Sequence, residues 1–441
     1  MALLRNPAPP RGFSFTRLLR FLSSEYRILF TLIFLANLTG MTFFVWFWYF
    51  NGYPNKTACA LAISINLTVS IIIREEHIIN CLYAIFTSLP KTYPLWLRRR
   101  MGKIYHLGGL HSGCGVAATF WFILLSIERT VSITKTNKDA ARWAYIIIMY
   151  LLDCLLVAIL VMSYPSIRAR IHNAFEVVHR FAGWSCLALL WCLIILDILI
   201  QTPPHRSIAA SLFCSVNFWL ISISTCSIIS TWLNCRKIPI ESNRLSSHAL
   251  RVFFNYTDPQ PGTTIRLSLL PLLEWHAFAT VKNPNEKGFS VIISDAGDWT
   301  KSIINNPPQE LWVRRVPTCG VLRIAPMFNS IVLVATGSGI APCLPVIMAR
   351  QIDITLFWST RDPLDTYGPD IASVILGLGN NAYIHNTSTM GRPNTLPIVM
   401  DLYKKTGSEA VIVISNPKLT INLVQDLEAL GVPAFGPIWD S

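Results

Sequence analysis

Six long apolar segments crowd into the first 235 residues, at roughly 27–50, 58–79, 106–127, 143–163, 176–200 and 208–233. A helix rises about 1.5 Å per residue and a bilayer core is about 30 Å thick, so about 20 apolar residues suffice to cross it. The expected fold of this half is a polytopic α-helical membrane bundle of about six spans. The second segment is the weakest, because Arg74, Glu75, Glu76 and His77 interrupt its end. The loop charges support the count. Basic residues stand in the N-terminal arm (Arg5, Arg11, Arg17, Arg20), after the second segment (Lys91, Arg98, Arg99, Arg100, Lys103), after the fourth (Arg168, Arg170) and after the sixth (Arg236, Lys237). They recur at every second crossing, which places both termini in the cytoplasm by the positive-inside pattern.

The composition agrees. Only 14% of the 441 residues are charged, against about 25% in soluble domains. The net charge of +13 raises nucleic acid as a partner. Its basic residues cluster beside apolar segments, so the expected partner is the lipid bilayer and not nucleic acid. Nine of the eleven cysteines lie at or before Cys235, without a Cys-x-x-Cys pair, and read as buried thiols. No cleavable signal peptide and no adenylation or carrier region is expected.

Four regions follow. Residues 1–25 form a basic cytoplasmic arm, and 26–235 form the six-span domain. Over 248–330, short alternating runs (RVFFNY, IRLSLL, FSVIIS, ELWVRRV) are broken by Pro, Gly and Asp, so 236–330 reads as a small antiparallel β-barrel. Over 331–441, strand-like SIVLVA, ITLFWS, AYIHN, AVIVIS and VPAFG alternate with helix-like stretches, the pattern of a parallel α/β domain.

Within that last region, Thr336 to Pro342 (TGSGIAP) follows an apolar strand and opens a helix. Gly337, Ser338 and Gly339 would bring backbone N–H groups to a pyrophosphate, and Pro342 suits the first helical turn. The pattern is G-x-G-x-x-P and not the usual G-x-G-x-x-G. Alone it also reads as a plain tight turn.

The stretch HNAFEVVHRFAGW (His172 to Trp184) places two histidines at the mouth of an apolar helix. His106 and His111 precede another. Five residues turn a helix by about 140°, whereas seven return to nearly the same face about 10 Å further along. No histidine stands deeper on either span, where Leu125 and Cys192 occur. At most one haem is therefore expected, held by His111 and His179, with His106 and His172 as alternates. Helix capping and pairing with Glu176 or Glu76 are the competing readings. Arg74, Glu75, Glu76, His77, Glu176 and Arg180 gather at the same level, as a polar pocket for a cofactor edge or a membrane-borne substrate.

The order barrel, glycine loop, α/β sheet resembles the ferredoxin–NADP reductase superfamily. Behind six spans it resembles the ferric reductase and NADPH oxidase group. Gly297-Asp298-Trp299-Thr300 resembles that group's flavin-pyrophosphate segment. Glu274 to Thr280, containing His276, Phe278 and Thr280, is similar to its His-Pro-Phe-Thr/Ser flavin motif, with Ala277 and Ala279 as departures. Trp358-Ser359-Thr360-Arg361 and Gly391-Arg392-Pro393 resemble its nicotinamide-nucleotide motifs, and Trp439 or Phe435 its flavin-covering C-terminal aromatic. The late Cys-Gly-Pro motif appears as Ser415-Asn416-Pro417. More narrowly, YHLGGLHSGCG, FEVVHRFAGW, FWSTRDP and FGPIWDS are similar to fungal TmpA-like membrane oxidoreductases, a region also fused to some adenylate-forming proteins.

The resemblance implies FAD as cofactor, with NADPH favoured over NADH because Arg361 and Arg392 would meet a 2′-phosphate. It implies a membrane-bound flavin oxidoreductase that passes electrons from NAD(P)H through FAD to a small-molecule or membrane-borne acceptor at the inner membrane face, serving developmental signalling or secondary metabolism. A non-catalytic membrane regulator is the alternative, and a ferric reductase the third choice.

Overall fold

The computed structural model describes residues 24–52, 56–134, 140–203, 205–283 and 287–437. Most of the expected N-terminal arm, and Trp439, lie outside the described residues. The first half is helical. Five helices are long and apolar enough to cross a membrane: Glu25–Asn51, Leu95–Ser132, Ala140–Ser163, His172–Ile200 and Val216–Leu233. A sixth is added only if the pair Thr57–Ile72 and Glu76–Thr87, bent by 77°, counts as one span.

That bend corrects the second expected span, and its cause is local. The backbone N–H groups of Arg74 and Glu75 donate back to Ile71 and Ile72, closing the first helix in a tight turn. The Glu75 carboxylate then accepts the Ile78 N–H at 2.9 Å and caps the next helix. The bundle core is built from Phe44, Trp121, Phe122, Met149, Leu190 and Ile221. Helix Glu25–Asn51 presses closely on Gly108–Thr134, because a Cβ on Gly109 would stand only 2.3 Å from the Tyr26 carbonyl oxygen.

The middle of the chain forms β1 (Cys235–Pro239), β2 (Glu241–Arg244), β3 (Ala249–Phe254), β4 (Thr263–Ser268), β5 (His276–Ala279), β6 (Val281–Lys282), β7 (Phe289–Ser294) and β8 (Glu310–Cys319). These make two four-stranded antiparallel sheets, ordered β1-β8-β4-β5 and β2-β3-β7-β6, where a small antiparallel β-barrel is expected. The chain changes sheets at Thr280, between β5 and β6. There the Thr280 N–H donates to the Thr263 carbonyl at 3.0 Å, and the two threonine hydroxyls bond at 2.8 Å. Leu250, Val252, Ile265, Leu267, Val291 and Val313 fill the space between the sheets.

The third region is the expected parallel α/β sheet. Strands β9 (Ser330–Thr336), β10 (Asp353–Thr360), β11 (Ala382–Asn386), β12 (Ala410–Ile414) and β13 (Ala434–Phe435) lie in the order β11-β10-β9-β12-β13. The order reverses between β9 and β12. Such a switch point leaves a crevice at the carboxyl ends of the strands.

Helices Glu76–Thr87 and Leu95–Met101 join the two halves. Asn80 donates from Nδ2 to the Pro317 carbonyl at 2.9 Å and accepts the Cys319 N–H at 2.8 Å. Arg98, expected as one of several loop cations, is only 4% exposed. It donates to Glu409 at 2.7 and 3.0 Å and to the Met327 carbonyl at 2.9 Å.

Candidate functional site

The β4–β5 ladder and helix Asp298–Asn305 bring the first set of motif residues together. β5 pairs with β4 so that His276 stands opposite Leu267 and Ala277 opposite Arg266. The His276 ring stacks on Trp299 with centroids 4.2 Å apart, and Phe278 lies 5.8 Å from the same indole. His276 Nε2 is 3.3 Å from the Glu274 carboxylate. Gly297 caps the helix, and a Cβ there would meet nothing within 4 Å. The Trp299 Nε1 donor is buried without a partner. An open glycine beside an orphaned buried donor is a place for a polar ligand.

Two expected contacts change role. Thr280 is 1% exposed and its hydroxyl is spent on Thr263, so it does not reach the cavity wall. Thr300 does line the wall, but its hydroxyl accepts the Ala296 N–H and donates to the Gly297 carbonyl, each at 2.9 Å. It shapes the loop.

At the carboxyl edge of the parallel sheet, Gly337 adopts a φ of +49°, and a Cβ on Gly339 would lie 2.2 Å from the Ile414 carbonyl oxygen. The loop therefore rests directly on the end of β12. Trp358 is fully buried and donates Nε1–H to the Gly337 carbonyl at 3.0 Å. It positions the loop and does not face a ligand. Thr360 is likewise buried, against Tyr367. Ser338, Arg361, Gly391 and Arg392 are exposed at this edge.

Sequence reading missed Asp362, whose only signal was its place after Trp358–Arg361. Its carboxylate accepts from Ser388 Oγ at 2.6 Å and Asn386 Nδ2 at 3.0 Å, tying the end of β10 to that of β11. Those two hydrogen bonds hold its carboxyl below the usual range. Ser415, read as a lost cysteine, shares a hydrogen bond with the Thr336 hydroxyl across the switch point.

One cavity of about 2580 Å³ joins these parts. It runs from His111 and His179 past Arg74 and Arg266 to His276–Ala279 and Gly297–Thr300, and on to Pro342 and Ile414. Ordinary ligand pockets hold about 300–1,000 Å³. Behind its wall the buried Glu76 carboxylate stands 3.2 Å from Arg266 and 3.5 Å from Arg314, two residues that line the cavity. Burial, and then the neighbouring Arg266 cation, push the Arg314 guanidinium down to about 10.

Of the four histidines, the structure brings two together. The His111 and His179 rings lie 6.1 Å apart at 56°. His111 Nδ1 sits 2.8 Å from the Ser70 carbonyl oxygen, which leaves Nε2 as its free nitrogen. The alternates fall away. His106 belongs to a 3₁₀ turn, Gly102–Leu107, and packs beside Tyr105 and Glu25. His172 is exposed, 3.4 Å from Glu176. Among the described residues no group of three or more His, Cys, Asp or Glu side chains could hold a metal ion.

A family model for the C-terminal domain of adenylate-forming reductase 03009 matches residues 321–441. The chain is 38% identical to adenylate-forming reductase 03009 of Coprinopsis cinerea, over 95% of this chain and 40% of that protein. It is 39% identical to adenylate-forming reductase 06235 of the same fungus, over 94% and 40%. It thus spans about two fifths of the length of these curated relatives. Among solved structures, a ferredoxin NADP+ reductase from Neisseria gonorrhoeae with bound FAD and NADP matches 46% of this chain and 98% of its own, with 14% identity and a TM-score of 0.37. Full-length CYP116B46 from Tepidiphilus thermophilus matches 46% and 28%, with 13% identity and a TM-score of 0.39.

The names of the curated relatives overturn the functional expectation. Both are named adenylate-forming reductases. The expected membrane oxidoreductase feeding an acceptor at the inner membrane face, and the ferric reductase, fall with that finding.

Proposed function

We propose that this chain is the reducing portion of an adenylate-forming reductase system. A nicotinamide nucleotide binds over the carboxyl ends of β9, β10 and β12, and a flavin lies between the β4–β5 ladder and helix Asp298–Asn305. Reducing equivalents are delivered into the chamber, where the substrate is held. The observation that carries this reading is continuity: one cavity touches the flavin-like motif, the sheet's switch point and the interior of the helical region.

A bound flavin would supply hydride acceptance from nicotinamide and onward electron transfer. The residues do the holding. The positive φ of Gly337 and the tight seating of Gly339 support a backbone cradle for a pyrophosphate. Arg361 and Arg392, exposed at the same edge, favour the 2′-phosphate of NADP. Gly297 leaves room beside the orphaned Trp299 donor for a second polar group. Ala279 presents no hydroxyl to the flavin, which predicts slow hydride transfer.

The helical region is proposed to cross a membrane, with both termini on its cytoplasmic side and the bilayer as partner. Phe43, Trp46 and Ile147 are 66%, 56% and 65% exposed, more apolar surface than a soluble face carries. Purified protein in detergent should show flavin absorbance that bleaches anaerobically with NADPH faster than with NADH. Colourless protein that binds neither nucleotide would overturn the reading. His111 and His179 are the pair that would ligate a haem iron, and a Soret band lost in His179→Ala is the signature that would add it.

A further inference from the structure

We infer that the helical end of the chamber takes an anionic amphiphile, a small molecule with an apolar body and a carboxylate or phosphate head held by Arg74. This rests on reading the chamber as the place where the reductase holds its substrate, and it names the chemistry of what is bound there. Arg74 stands in the break between helices Lys56–Ile72 and Glu76–Thr87 and lines the cavity. Its backbone N–H closes the first helix on Ile71, but among the described residues its guanidinium makes no hydrogen bond or ion pair. The side chains facing it are the cations Arg266 and Arg168 and the Tyr26 phenol, and it in turn faces His111 and His179.

The carboxylates beside it in the chain are committed elsewhere. Glu75 caps its helix through one oxygen on the Ile78 N–H and Glu76 meets Arg266 and Arg314 through one oxygen; the second oxygen of each is buried without a partner, and neither reaches the Arg74 guanidinium. A guanidinium keeps its charge at any accessible pH. Enclosing one among cations is costly unless an anion joins it. Its planar fork matches a carboxylate or phosphate.

Beyond Arg74 the chamber becomes apolar. Leu67, Val116, Leu156, Leu187, Leu190 and Ile221 line it. That surface is suited to an alkyl chain or ring and not to a free sugar or inorganic ion. The cavity's 2580 Å³ leaves room for such a molecule beside a flavin.

The full chain would be placed in phosphatidylcholine nanodiscs and titrated with radiolabelled dodecanoate, with empty discs as background. Dodecyl phosphate should displace the label at about tenfold lower concentration than dodecanol. Arg74→Gln should weaken dodecanoate binding by about tenfold or more, and Arg74→Lys should recover part of it. Ile221→Trp, which fills the apolar end and keeps Arg74, should abolish binding even if Arg74→Gln fails to fold. Competition by phosphatidic acid in the discs would assign the anion to the bilayer, and its absence would assign it to a free acid. Either result keeps the anion on Arg74.

Equal affinity for dodecanoate and dodecanol, or unchanged binding in Arg74→Gln, overturns the inference. So does a Soret band, since haem would then fill the same space. Flavin absorbance on the same samples separates the two readings. Flavin present without anion preference sinks only this inference, whereas absent flavin sinks the reductase reading beneath it.

Discussion

Arg98 and Glu409 lie 311 positions apart in sequence and meet in a bidentate pair at 2.7 and 3.0 Å. The pair clamps the helical half to the amino-terminal edge of the parallel sheet. The carboxylate also accepts from the Asn329 backbone and side chain, at 2.7 and 3.0 Å. Hydrogen bonding to Arg98, ahead of the Asn329 bonds, pulls the Glu409 carboxyl down to about 2 from 4.5.

Arg98→Met should therefore destabilise the protein by about 1.5–3 kcal/mol at neutral pH, the range for hydrogen bonds to charged groups. A depressed carboxyl stabilises the fold fully above its unfolded value near 4.5. That stabilisation is lost as pH falls toward 2. The gap in melting temperature between wild type and Arg98→Met should be full at pH 6–7 and shrink below pH 4.5. A gap that stays constant down to pH 3 would show that the pair is not the source.

The two glycines of the nucleotide loop should differ when changed. Gly339→Ala drives a Cβ to 2.2 Å from backbone at Ile414. The strand must shift, and NADPH affinity should drop by about tenfold or more. Gly337→Ala meets only the Tyr367 hydroxyl, at 3.9 Å. Its cost is the left-handed backbone, about 1–2 kcal/mol. Equilibrium dialysis with NADPH checks the ranking, and equal effects would remove the close-approach argument.

Ala279 and Thr280 allow the reassigned hydroxyl to be tested. Thr280→Val should cost about 1 kcal/mol of stability by removing the bond to Thr263, with flavin content unchanged. Ala279→Ser adds a hydroxyl to the cavity wall and should raise the rate of flavin reduction in stopped-flow, about two- to tenfold. Loss of flavin in Thr280→Val, with Ala279→Ser inert, would reverse the assignment.

Glu76→Gln leaves Arg266 and Arg314 without their shared buried carboxylate. Removing one partner of such a site costs about 3–5 kcal/mol. Helix Glu76–Thr87 should then loosen from β8, and hydrogen exchange should quicken at Asn80 and Cys319 first. Exchange that quickens uniformly instead would place the effect in the bundle.

Much of this architecture was legible in the chain. Apolar length marked the helices, and alternation against continuous apolar runs separated the antiparallel strands from the parallel ones. The glycine loop fell where its strand and helix predicted. These are periodic or local signals, and they survive in one dimension. The broken second span was half visible in Arg74 to His77, although its meaning required the Glu75 cap.

What the sequence by itself determined is therefore a helical apolar half, two kinds of sheet and a nucleotide-like loop. Tertiary structure alone decided which motif residues face a ligand. Trp358 and Thr280 match motifs yet turn inward, because burial and hydrogen bonding are set by neighbours distant in sequence. The same contacts turned a loop cation, Arg98, into a clamp. They also left Arg74 without a counterion in a cavity whose walls come from both halves of the chain. No spacing rule reports such a cavity, because its charge balance is a sum over residues that only the fold brings together.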